Sequence, residues 1–97
     1  MGGARMVTAF VLINAKRDKV TETAEALAAL DGVSEVYSVA GQYDLVAVIR
    51  VKTNDQLAEL ITGRMLKLAG IERTQTIIAF RTYSKHDLEA MFSIGME

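Results

Sequence analysis

Apolar positions change their period along the chain, and each change marks an element. Val7 to Asn14 is a continuous apolar run of strand length. Asp18 then offers an N-cap to a segment in which Val20, Ala24, Leu27, Ala28 and Leu30 recur at helical spacing, and Gly32 stops that helix. Val33 to Ala40 and Leu45 to Val51 are rich in β-branched residues and flank a glycine, the pattern of two strands joined as a hairpin. Thr53 or Asn54 caps a second helix carrying Leu57, Leu60, Ile61, Met65 and Leu68, which Gly70 stops. Ile71 to Tyr83 reads as a fourth strand. Ser84 and Asp87 have capping-box-like spacing, which starts a short C-terminal helix from Lys85 to about Phe92.

The order is βαββαβ with a tail helix. The two halves also resemble each other: Leu30-Asp31-Gly32-Val33 aligns with Leu68-Ala69-Gly70-Ile71, and Ala9, Val11, Ile13 and Leu27 align with Ala47, Ile49, Val51 and Met65. Two βαβ halves pairing edge to edge give an α+β fold of the ferredoxin-like kind. It has a four-stranded antiparallel sheet, two helices on one face and the short C-terminal helix, with residues 1–97 forming a single domain.

A sheet with helices on one face and water on the other should alternate apolar and polar residues. Phe10-Val11-Leu12-Ile13 and Leu45-Val46-Ala47-Val48-Ile49 are instead apolar at both parities. Something must cover the second face, and in a chain of 97 residues a second copy is the simplest cover. The C-terminal helix, with Leu88, Met91 and Phe92, is too short to hide a whole sheet. A homo-oligomer is therefore expected.

Composition narrows the function classes. Eleven basic and 12 acidic side chains leave a net charge of −1, without the basic patch that nucleic acid requires, so no direct DNA binding is expected. The absence of cysteine excludes disulfides, thiolate metal sites and thiol nucleophiles, and suits the cytoplasm. The N-terminal apolar run is too short to span a bilayer and lacks a secretory cleavage pattern, so no membrane partner is expected. His86, the single histidine, has no serine, cysteine or paired carboxylate near it in sequence, and no phosphate-binding glycine loop occurs. Neither an enzyme, a cofactor nor a metal is expected.

One stretch asks for a ligand. Gly41-Gln42-Tyr43-Asp44 sets a ring and a carboxylate beside a glycine between two strands, and Asp44 opens a strand, where aspartate is disfavoured. An aspartate that bonds its own turn backbone is the competing reading.

These residues together carry a resemblance. The βαββαβ order, the two Leu-x-Gly-aliphatic helix ends, Gly41-Gln42-Tyr43-Asp44-Leu45 and then Thr74-Gln75-Thr76 resemble the effector-binding (RAM) domain of Lrp/AsnC transcriptional regulators, over about Met6 to Phe92. The resemblance implies a domain that forms a homodimer through its sheets and assembles into octamer-like or larger rings. It also implies a small amino-acid effector bound where dimers meet. Regulators of this family normally begin with a helix-turn-helix domain; only Met1 to Arg5 precede the resembling region here, so a stand-alone effector module is expected, with a full-length Lrp/AsnC regulator as a further candidate partner. Proline commonly precedes each helix-ending glycine in the family, and Asp31 and Ala69 replace it here.

Amino-acid chemistry suits the implied site. Asp44 can accept an ammonium, the turn at Gly41 can bring backbone N–H groups to a carboxylate, and the Thr74 and Thr76 hydroxyls share one side of a strand; Tyr43 can wall the pocket. Threonine is equally an ordinary strand residue. Among other ferredoxin-like classes, an RNA-recognition motif would show aromatic residues on its central strands, and Leu45 to Val51 has none. Two alternatives stay open. An ACT-like amino-acid sensor would carry its site after strand one, and a cofactor-free monooxygenase of the dimeric α+β-barrel type would bring His86 to a tyrosine in a closed pocket.

Overall fold

A computed structural model describes residues 6–85. Strands β1 (Val7–Ala15), β2 (Val33–Ser38), β3 (Leu45–Val51) and β4 (Ile71–Ile78) form one antiparallel sheet in the order β2-β3-β1-β4. Helices α1 (Val20–Ala28) and α2 (Asn54–Gly63) complete the ferredoxin-like βαββαβ arrangement expected from the sequence.

The core lies between the helices and the odd-numbered positions of the central strands. Ala9, Val11 and Ile13 of β1, with Leu45, Ala47 and Ile49 of β3, are wholly buried. Their register, Ala9 opposite Ile49, Val11 opposite Ala47 and Ile13 opposite Leu45, puts them on one face. Leu27 of α1, Leu57 and Leu60 of α2, and Met65 pack onto that face. Burying each large aliphatic side chain contributes about 1.5–3 kcal/mol, so this layer holds the helices down. Even-numbered positions face the other way: Phe10, Leu12, Val46 and Val48 line the helix-free face, with Tyr37 opposite Val46 and Ile77 opposite Phe10. Phe10, Ile77 and Tyr37 remain exposed there.

Helix ends depart from the pattern in three places. Asp18 does not cap α1: it lies in a 3-10 turn, Arg17–Lys19, and the N-cap is Lys19 without a side-chain bond. The 3-10 turn runs directly into the helix, so its i→i+3 geometry replaces a side-chain cap. Gly32 does not stop α1, which ends at Ala28; the glycine instead begins the entry into β2. Helix α2 ends at Gly63, and Met65–Lys67 continue as a 3-10 turn, so Met65 and Leu68 lie beyond the helix proper. Thr53 does cap α2, its Oγ1 accepting from the Gln56 N–H at 3.0 Å while Gln56 Oε1 accepts from the Lys52 N–H at 2.8 Å.

Two strands are shorter than their sequence suggests. Strand β4 ends at Ile78 rather than Tyr83 because its partner β1 begins at Val7: after Ala9 pairs with Ile78, only the bond from Ala79 N–H to Thr8 O remains. Strand β2 ends at Ser38 rather than Ala40, where Ser38 meets Leu45, the first residue of β3. The C-terminal helix from Lys85 to about Phe92, with the Ser84/Asp87 spacing and His86, falls outside the described residues, which end at Lys85.

The internal duplication has a structural counterpart. Val33 N–H donates to Leu30 O and Ile71 N–H to Leu68 O, each at 3.2 Å, so both Leu-x-Gly segments make the same turn into a strand. Each glycine carbonyl then accepts from the other half: Gly32 O from Arg50 N–H at 2.9 Å and Gly70 O from Lys16 N–H at 2.8 Å. Gly70 is needed for room, since a Cβ there would overlap the Thr23 hydroxyl and press on Lys19.

Gly70→Ala is therefore expected to lower stability by about 1–3 kcal/mol in urea unfolding, and by less when introduced beside Thr23→Ala, which removes the clashing oxygen. Additive effects of the two substitutions would count against close approach as the cause.

Candidate functional site

The β2–β3 connection runs from Val39 to Asp44 and packs against the end of β1. Gly41 has φ of +131°, a conformation that side-chain-bearing residues rarely adopt, and a Cβ there would meet nothing within 4 Å. Its backbone freedom, not lack of space, makes glycine necessary. Val39 N–H donates to Asp44 O at 3.0 Å and Asp44 N–H to Ile13 O at 2.9 Å, which closes the loop and joins it to β1.

Asp44 is half-buried, and its Oδ2 accepts from the Ala15 N–H at 2.9 Å. The bond forms where the β1–β4 register shifts between Asn14 and Ala15. The carboxylate thus bonds the neighbouring strand rather than its own turn, and its Oδ1 has no partner among the described residues. Tyr43, also half-buried, donates its hydroxyl proton to Gln75 Oε1 at 2.7 Å. Because β1 lies between β3 and β4, the tyrosine crosses the end of β1 to reach that partner.

Sequence reasoning does not mark Asn14, yet it connects this region. Its Nδ2 donates to Gln42 O at 2.8 Å and its Oδ1 accepts from Arg73 Nε at 3.4 Å, a long bond. A polar amide ending an otherwise apolar strand is the signal that could have found it.

The five predicted residues do not all converge within one chain. Gly41, Tyr43 and Asp44 lie together on the loop. Thr74 and Thr76 are opposite Ile13 and Val11 and so share the helix-bearing face, whereas Gln75, opposite Leu12, shares the other face with Tyr43's contact. A cavity of about 560 Å³ exists elsewhere, at the far end of β3, lined in part by Gly32, Lys52, Asp55 and Glu59; none of the five residues touches it. Among the described residues no cluster could hold a metal ion, and no helix is long and apolar enough to cross a membrane.

Residues 8–88 match the family model of the Lrp/AsnC ligand binding domain. The chain belongs to this family. Its relatives include the HTH-type transcriptional regulator FL11 of Pyrococcus horikoshii, 34% identical over 79% of this chain and 50% of that protein. The chain spans about half the length of such curated relatives. Among solved structures, TTHA0845 from Thermus thermophilus is 49% identical, with a TM-score of 0.78, covering 82% of this chain and all of that one. The feast or famine regulatory protein (Rv3291c) from M. tuberculosis, complexed with L-methionine, is 29% identical with a TM-score of 0.64 over 84% of this chain and 56% of that one. Family membership agrees with the Lrp/AsnC resemblance that the sequence carries.

The Asp44 bond gives a direct stability test. Asp44→Ala leaves the Ala15 amide without its acceptor and is expected to cost about 1–3 kcal/mol in urea unfolding. Asp44→Asn keeps an oxygen at the same place and should cost less than half as much. Equal losses would show that the Ala15 bond is not what the carboxylate contributes.

Proposed function

We propose that this chain is an amino-acid-binding effector module of the Lrp/AsnC regulator type, which binds a small amino acid at the Gly41–Asp44 loop where copies of the chain meet. The half-satisfied Asp44 carboxylate carries this reading: one oxygen is held by the Ala15 amide and the other has no partner among the described residues, so a fixed negative group is presented at the sheet end. Such a group suits the ammonium of an amino acid. Backbone N–H groups near Gly41 and the ring of Tyr43 supply the rest of the loop's contribution.

Thr74 and Thr76 lie on the opposite face of the edge strand, so their place in this proposal is against a ligand held by a neighbouring copy. A site divided in this way requires assembly. The helix-free face supports it, since Phe10, Leu12, Val46 and Ile77 present apolar side chains there that a second copy's sheet would cover. Larger rings then bring loops of different dimers together. The module acts on transcription through assembly with itself or with a DNA-binding Lrp/AsnC relative, rather than by chemistry of its own, and works in the cytoplasm. The complex of the M. tuberculosis relative with L-methionine makes that amino acid a natural first ligand to test.

A thermal-shift screen of the twenty amino acids should identify at least one that raises the melting temperature, because a ligand of the native state stabilises it. With that amino acid, Asp44→Ala should weaken binding by about 2–5 kcal/mol in calorimetry, and Asp44→Asn should weaken it too. Unchanged affinity in Asp44→Asn would assign Asp44 to the fold alone.

Assembly is tested separately. Phe10→Glu places an unpaired charge on the helix-free face and should weaken the dimer by about 3 kcal/mol or more, read by light scattering across a dilution series. A wild-type protein that is monomeric at micromolar concentration would remove the basis for sheet-to-sheet pairing.

A further inference from the structure

We propose that Arg73 binds the carboxylate of the amino-acid effector and that Asn14 positions it, so that the site reads both charges of the ligand across the end of β1. The inference rests on the amino-acid reading above and adds the orientation of the ligand. Asp44 bounds one side of the β1 end, bonding Ile13 through its N–H and Ala15 through its carboxylate. Arg73 bounds the other side as the direct partner of Asn14 in the β1–β4 register.

Adjacent strands are about 4.8 Å apart, so residues on the two strands flanking β1 have Cα atoms roughly 10 Å apart. A long arginine and a short aspartate side chain narrow that span to the size of an α-amino-acid head group.

The arginine is exposed but reaches toward the end of β1. Its Nε donates to Asn14 Oδ1, while the same asparagine holds Gln42 O, so one side chain ties guanidinium and loop together. The two terminal nitrogens of Arg73 have no partner among the described residues. Among the described residues no carboxylate pairs with it, in contrast to Arg50, which pairs with Glu35 at 3.3 Å. An unpaired guanidinium fork matches a carboxylate in two parallel hydrogen bonds, which a threonine hydroxyl cannot do. Arg73 also shares its sheet face with Gln75, the partner of Tyr43, whereas Thr74 and Thr76 point to the other face.

The test uses the full chain and compares an amino acid with its carboxamide, which keeps the ammonium and side chain but loses the negative charge. L-Methionine and L-methioninamide are measured first, then the same pair for any amino acid that stabilises the protein more in the screen. Wild-type protein should bind the acid about tenfold or more tighter than the amide. Arg73→Gln, at an exposed position and checked for unchanged unfolding, should lose about that factor for the acid and bring the ratio near one. Asn14→Ala leaves the guanidinium present but unheld, and its ratio should fall between the two. A wild-type ratio in Arg73→Gln, or a ratio near one in the wild-type protein, overturns the assignment while leaving amino-acid binding intact. Failure of all twenty amino acids to bind the wild-type protein would overturn the underlying reading, and this inference with it.

Discussion

Between Asn14 and Ala15 the pairing of β1 with β4 slips, and the Ala15 amide is donated to the Asp44 carboxylate instead of to a strand carbonyl. Leaving such an amide unpaired costs on the order of 1–3 kcal/mol, so the shape of the β2–β3 loop and the end of the central strand are mutually dependent. Gly41 supplies the one unusual backbone conformation this closure needs. Asn14 and Tyr43 then extend the connection across β1, to Arg73 and Gln75 respectively. Loop, central strand and edge strand thus form one bonded unit. The Asp44 carboxylate is thereby held in a fixed place at the end of the sheet.

The two faces of the sheet differ in what covers them. Odd positions of β1 and β3 are small or aliphatic and close against the helices with almost no exposure. At even positions Phe10, Leu12, Val46 and Val48 are apolar as well, and the helix-free face is bordered by a polar group: Arg50 Nη1 lies 3.3 Å from Glu35 Oε1, and Tyr37 donates its hydroxyl proton to Glu35 Oε2 at 3.0 Å. That hydrogen bond, with the negative charge of Glu35 beside it, raises the pKa of the Tyr37 phenol above its ordinary value. Exposed ion pairs contribute little to stability. Their position opposite Val46 and Val48 instead gives the apolar face a polar edge, a feature shared with protein interfaces.

Periodicity was enough to place β1, α1, β2, β3, α2 and β4 and to select the ferredoxin-like order, because each element buries one face and its residues must repeat with the element's own period. The Gly-x-Tyr-Asp stretch was also legible, since it depends on residue types and short spacings. Boundaries were less so. The ends of β2 and β4 are set by where the partner strand begins, a constraint that resides in another part of the chain. The end of α2 at Gly63 and the 3-10 turn through Met65 depend on seating Met65 in the core.

The site shows the same division. The sequence by itself determined that a carboxylate, a ring and a permissive glycine would sit together on one loop, because they are neighbours in the chain. Only the tertiary structure decided that Asp44 bonds Ala15, that Asn14 joins Gln42 to Arg73, and that Thr74 and Thr76 face away from Tyr43's contact. Those relations follow from strand register and from the slip at Asn14, and a shift of one residue would exchange every face.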